Sequence, residues 1–143
     1  MATADQGGLS ALARQVELTA VERFPDVYAG VMLLPDPERI RVYRKPSADL
    51  DRWLTDEFGP GRVEVVDAAH SQRELRALQE RIADDFGYWR SRGLTLNSVA
   101  STVDGRAVEV GTSDVERARR DLPGHYGVDA AITVVAQGEI RTL

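Results

Sequence analysis

The stretch Val99-Ala100-Ser101-Thr102-Val103-Asp104-Gly105-Arg106-Ala107-Val108-Glu109-Val110 reads as two short strands around an Asp-Gly turn. Apolar residues alternate with small or charged ones on both sides of the turn, the period of a half-buried antiparallel pair. The same phrase stands earlier in the chain. Residues 27–34 are apolar and rich in strand formers, Pro35-Asp36-Pro37-Glu38 makes a turn, and Arg39-Ile40-Arg41-Val42-Tyr43 alternates strictly. Asp36, Ile40 and Val42 match Asp104, Val108 and Val110 at an offset of 68.

Helical patterns flank each hairpin. Leu9, Leu12, Ala13, Val16, Ala20 and Phe24 recur at helical spacing, which predicts a helix over 10–24 stopped by Pro25. Ser47 caps a second helix through Leu50, Trp53 and Leu54, ended by Gly59-Pro60-Gly61, and 63–66 is a third strand. Then the order repeats. Ser71-Gln72-Arg73-Glu74 is a capping box that opens a long helix over 71–92, with Leu75, Leu78, Ile82, Phe86 and Trp89 on one face and Gly93 at its end. Residues 94–102 and 107–110 form the second hairpin. Ser113-Asp114-Val115-Glu116 is a second capping box, opening a helix through Ala118 and Leu122 that Pro123-Gly124 breaks, and 128–136 is the last strand. Leu50, Trp53, Val63 and Val65 match Val115, Ala118, Val128 and Ala130 at an offset of 65.

The expected fold is therefore α+β: two related αββαβ lobes, each a small three-stranded sheet with helices packed on one face. The lobes are expected at 1–70 and 71–143. The second begins with the long helix, a junction roughly 30 Å in length at 1.5 Å per residue, and ends in an extended tail.

The 143 residues carry 18 basic and 23 acidic side chains, a net charge of −5, and no cysteine. Without thiols there is no disulfide framework and no thiolate metal site. Net negative charge argues against a general binder of nucleic acid or anionic membrane, because phosphates reward clustered cations. Of the basic residues only Lys45 is lysine, a skew that reads as codon bias of a GC-rich genome. No run of apolar residues reaches the length of a transmembrane helix. Residues 1–8 lack the basic and apolar regions of a secretory signal, so the chain reads as cytoplasmic as written and as secreted if a signal peptide was removed.

His70 precedes a helix cap and His125 lies in a Gly124-His125-Tyr126-Gly127 loop, neither with a partner at ligand spacing, so no metal or cofactor is expected. Ser residues lie in no G-x-S-x-G elbow. The acidic pairs Asp84-Asp85, Asp56-Glu57 and Asp49/Asp51 read as solvated helix faces, since adjacent helical side chains diverge by about 100°. Gly59-Pro60-Gly61 follows a helix rather than a strand, the wrong order for a phosphate loop. Arg117, Arg119 and Arg120 stand among Asp114, Glu116 and Asp121 as an ion-pair face. The chain is read as no enzyme. What remains is surface: a sheet face or edge open to another protein, and a tail, Gln137-Gly138-Glu139-Ile140-Arg141-Thr142-Leu143, without helix or turn signal.

Read together, several phrases resemble the pro-regions of alpha-lytic-protease and streptogrisin-type secreted serine proteases. Tyr28-Ala29-Gly30-Val31, its turn and Ile40-Arg41-Val42-Tyr43 resemble their first hairpin. His70-Ser71-Gln72-Arg73-Glu74-Leu75 is similar to the start of their inter-lobe helix, and 99–110 and 128–135 to their second hairpin and closing strand. The resemblance implies a folding catalyst and inhibitor, whose C-terminal lobe pairs its sheet with a chymotrypsin-fold serine protease and whose tail occupies the protease cleft. Carried over, the partner-binding residues are Leu96, Ser98, Val108, Val110, Ile132 and Val134 on the sheet, with Gln137, Glu139, Arg141 and Leu143 in the tail. Two other readings use the same fold: a scaffold protein that homodimerises through an exposed sheet, and a small-molecule binder with Trp53, Trp89 or Tyr88 lining a cleft between lobes.

Overall fold

The computed structural model describes residues 2–35 and 38–137, with side chains described from Gly8 on, Pro35 excepted. The elements are α1 (Ala2–Arg23), β1 (Tyr28–Pro35), β2 (Glu38–Arg44), α2 (Ala48–Phe58) and β3 (Val63–Asp67), then α3 (Gln72–Asp84), α4 (Phe86–Ser91), β4 (Leu96–Ser101), β5 (Val108–Thr112), α5 (Val115–Tyr126) and β6 (Ile132–Ala136). They form two three-stranded sheets, each packed with helices, in the order β1-β2-β3 and β4-β5-β6. The fold is α+β with two lobes. Contacts divide the chain into two compact units: Met1–Glu74 with Val103–Arg106, and Leu75–Thr102 with Ala107–Leu143.

In the first unit β1 and β2 are antiparallel, with Val31 opposite Val42, and β3 lies parallel to β2, with Val42 beside Val65. A parallel neighbour cannot be reached by a tight turn, so the chain crosses over through α2. Ile40 and Val42 are fully buried with Val16 and Ala20 of α1 and Leu50 and Leu54 of α2. Helix α2 starts where Ser47 accepts the Leu50 N–H (3.2 Å) and stops at Gly59, whose φ of +76° suits glycine. Arg44, at the buried end of β2, puts Nε and Nη2 on the two Asp51 oxygens (2.8 and 2.9 Å) and Nη1 on Asp67 (2.5 Å). That bidentate fork ties β2 to α2, and the third bond ties it to β3.

The second unit repeats the plan. Val99 pairs with Val110, and Val110 lies beside Val134 of the parallel β6. Its core joins Leu75 and Ile82 of α3, Trp89 of α4, Leu96, Val108, Val110 and Val134 of the sheet, and Ala118, Leu122 and Tyr126 of α5. The offset of 68 holds widely. Tyr28 and Leu96 open matching register shifts, buried Arg44 corresponds to buried Thr112, and Gly59 corresponds to Gly127 at the helix end. The expected offset of 65 for the closing strand is corrected: Val63 and Val65 correspond to Ile132 and Val134, because the loop after α5 is one residue longer than that after α2.

Several boundaries also differ from expectation. Helix α1 begins at Ala2 rather than at 10. The Ser71 box forms as read, Ser71 Oγ accepting from the Glu74 N–H (3.1 Å) and Glu74 from the Ser71 N–H (3.2 Å). Its helix, however, is two helices. At Asp85 the N–H turns back to the Ile82 carbonyl, an i−3 bond, and α4 starts afresh. Asp is a poor helix-interior residue, and the Asp85 carboxylate is held by Tyr126 of α5 (2.7 Å). The apolar period runs straight through the break and conceals it. Helix α5 is capped by Asp114, not Ser113, the carboxylate accepting from the Arg117 N–H. It also runs through Pro123 to Tyr126 instead of breaking there, its last turn anchored by buried Tyr126 and by the Gly127 N–H on the Pro123 carbonyl (2.8 Å). The last strand starts at Ile132; Val128 lies outside it, 85% exposed.

Gly105 has a φ of +71°, and a Cβ there would sit 2.6 Å from the His70 carbonyl oxygen and 2.8 Å from Ala29 Cβ. Gly105→Ala is therefore expected to destabilise the protein by about 2 kcal/mol or more. Gly124→Ala, in open space on α5, should be neutral or stabilising by up to about 1 kcal/mol. Urea unfolding of both variants checks the contrast.

Glu74 accepts from the Lys45 ammonium (2.9 Å), which together with the Ser71 N–H and His70 holds its carboxyl down to about 2. A carboxylate with a lowered folded-state pKa adds stability above its unfolded pKa and loses it as pH falls through the folded one. The advantage of wild type over Glu74→Gln, which keeps the cap acceptor, should thus be constant above pH 5 and shrink between about pH 4.5 and about pH 2. Because Glu74 is half exposed, that advantage stays below about 1 kcal/mol. Denaturation midpoints of the two proteins across this range measure it.

Candidate functional site

Strand β6 is at the edge of its sheet, paired with β5 alone. The Val108 N–H donates to the Ala131 carbonyl (2.8 Å) and the Gln137 N–H to the Thr112 carbonyl (3.0 Å). In a parallel ladder these two bonds set the alternation, so the backbone groups of Ile132, Val134 and Ala136 point away from β5, and the Ile132 N–H donates to the Ala130 carbonyl (2.8 Å). A groove of about 300 Å³ runs beside this edge. Arg119, Leu122 and Pro123 of α5 form one wall, Ile132 and Val134 the other, and Val128 and Ala130 close the end. A strand edge paired on one side only, beside a groove that mixes polar and apolar groups, is a geometry that accepts an extended segment of another chain.

The residues expected to dock a partner fall into four groups. Leu96, Val108, Val110 and Val134 are between 0% and 6% exposed and belong to the core. Their side chains face the helices, so they form no docking surface; this corrects the expectation. Alternation reveals that a strand has two faces, and the apolar face is the one already covered. Ile132 is half-buried and lines the groove. Ser98 and Gln137 meet on the opposite face: the Ser98 hydroxyl donates to Gln137 Oε1, and Asn97 Nδ2 donates to the Gln137 carbonyl (2.8 Å). Gly111 leaves the space, since a Cβ there would collide with the Gln137 side chain. Glu139, Arg141 and Leu143 lie outside the described residues.

The arginine cluster also divides. Arg117 and Arg120 both bond Asp121 (3.2 and 3.1 Å), holding its carboxyl below the usual range, Arg120 foremost. Among the described residues no carboxylate pairs with Arg119. Its Nη2 instead reaches the Val134 carbonyl at 3.4 Å, on the open edge.

One cluster of chemistry-bearing side chains was not foreseen. Asp85, expected on a solvated face, and His125, expected in a loop, meet with Tyr126, Trp89 and Tyr88. Tyr126 donates to Asp85 (2.7 Å) and accepts from Trp89 Nε1 (3.0 Å). His125 Nε2 lies 3.5 Å from Asp85 Oδ2, its ring 4.7–5.1 Å from Tyr126, Tyr88 and Trp89. Burial pushes the Tyr126 hydroxyl up to about 12, with Asp85 adding to the shift and the Trp89 N–H opposing it. The cluster fastens α4 to the last turn of α5. Only the contact map of the fold could have joined residues 40 apart in sequence. The aromatics proposed for a cleft are packed in their own units: Trp89 is buried, Tyr88 lies under Arg92, and Trp53 stacks between Phe24 and Phe58. Among the described residues no His/Asp/Glu group is placed to hold a metal ion, and no helix is long and apolar enough to cross a membrane.

The chain matches no model of a known protein family and no curated protein.

Tyr126→Phe removes the donor to Asp85 and the acceptor of a buried indole N–H, and is expected to destabilise the protein by about 1–3 kcal/mol. Pairing it with Trp89→Phe in a double-mutant cycle should give a loss smaller than the sum of the two single losses, read from denaturation midpoints.

Proposed function

We propose that the chain is a non-enzymatic protein-binding module that holds its partner by strand addition along β6, in the manner of a protease pro-region acting as inhibitor or folding helper. The observation that carries this reading is the edge itself: the outward carbonyl of Ile132 and the outward backbone groups of Val134 and Ala136 beside the α5 groove, the Ile132 N–H being turned back to the Ala130 carbonyl (2.8 Å). Main-chain bonds along such an edge supply affinity without regard to sequence, each a net gain of about 1 kcal/mol. Specificity then falls to the groove. The edge is short, so a stable complex needs further contact to approach the roughly 1,200–2,000 Å² of an ordinary interface. The open sheet face at Ser98 and Gln137 is the surface next to it. The hairpin phrases at 28–43 and 99–110 support a chymotrypsin-fold serine protease as the partner.

The test uses the full chain against a streptogrisin-type protease. Ala136→Pro places proline where the N–H points away from β5, so folding is retained while strand addition is blocked. Inhibition is expected from the native chain and should fall at least about tenfold in Ala136→Pro, with an unchanged melting temperature. A native chain that leaves the protease fully active overturns the protease reading. Inhibition that Ala136→Pro does not alter overturns the edge.

A further inference from the structure

The middle acceptor of the β6 edge is already occupied. Arg119 extends from α5 to the Val134 carbonyl, at 3.4 Å a long bond to a neutral oxygen. Its neighbours Arg117 and Arg120 converge on Asp121, whereas among the described residues Arg119 has no carboxylate. An incoming strand needs the Val134 carbonyl for its own N–H, so Arg119 must let go, and its charge must then be satisfied within the groove. In the same groove, which Pro123 and Ile132 also line, Val128 stands 85% exposed. An apolar side chain entering there covers surface that the folded unit leaves in water.

Resting on the edge-docking reading above, we propose that the groove selects an extended acidic peptide segment: an aspartate or glutamate that takes Arg119 from the Val134 carbonyl, and an apolar residue two positions away against Val128 and Pro123. Side chains two apart in a strand share a face, which is why both requirements fall on one side of the added strand. The exchange is favourable because a carboxylate offers the guanidinium two charged oxygens in a bidentate fork, where the Val134 carbonyl offers one neutral oxygen at 3.4 Å. Until such a segment arrives, Arg119 guards the edge, one of the ways natural sheets avoid pairing with unrelated strands. A basic segment would leave two cations facing each other and is rejected.

The experiment pans phage-displayed random decapeptides on the full chain and measures the affinity of the enriched peptide by fluorescence anisotropy. Enriched peptides are expected to carry Asp or Glu two positions from an apolar residue, and to perturb the backbone amides of 119–136 in NMR spectra. Arg119→Glu, at an exposed position, should weaken binding at least about tenfold, and a Glu→Lys peptide should recover affinity for that variant. Peptides that perturb β6 with no acidic preference, or bind Arg119→Glu as well as wild type, overturn the acidic selectivity and leave edge docking standing. Enrichment of no peptide, or of peptides that perturb only other residues, overturns both.

Discussion

A third strand lying parallel to the second is the constraint on which each unit depends. Such a strand cannot follow the second through a tight turn, so a helix must cross between them and lie on one face. The consequences follow in order. Apolar side chains collect on the crossover face, where Ile40, Val42, Val108 and Val110 are fully buried. The third strand, paired once, keeps one edge open. The same step that builds the core therefore leaves the edge on which the proposed docking rests.

Two units on one plan show which parts of it the fold requires. The glycine that ends each crossover helix recurs, Gly59 and Gly127, each N–H returning to a carbonyl in the last turn. The buried polar position at the end of the middle strand recurs as well, with different chemistry. Arg44 needs two carboxylates from outside its strand, whereas Thr112 donates to the Thr95 carbonyl and accepts from the Asp114 N–H. The outer faces diverge most. Tyr43, joined by Arg41 and Glu64, fills the first with its own side chains, and Gly111 clears the same position in the second for Gln137. What packs against the helices is repeated, and what lies on the opposite face is individual.

Much of this was legible in the sequence. Strict alternation located the hairpins, and Ser47 and the Ser71 box located helix starts, because these signals act between residues a few positions apart. The failures share one cause. Asp85 leaves its helix for Tyr126, Pro123 is tolerated because Tyr126 anchors the turn beyond it, and Arg119 stands apart from its neighbours because of where β6 lies. Each is set by a contact with another element, which local pattern does not record. Leu96, Val108, Val110 and Val134 were expected as binding residues through the resemblance, and they are apolar, the property that takes them inside. The open edge itself was implicit in the αββαβ order, but its position waited on the true start of β6.

Residues Val103–Arg106 group with the first unit although the strands on either side of them belong to the second. The Gly105 carbonyl receives the His70 N–H (3.0 Å), and Val103 crowds the position where Gly30 has no side chain. The first unit is thus discontinuous along the chain. On a ribosome adding about 5–20 residues per second, its first 74 residues emerge some seconds before the four that complete it. During that interval the backbone at His70 waits for a partner still to be synthesised. The order of translation, and not only the order of strands, is written into the turn at Gly105.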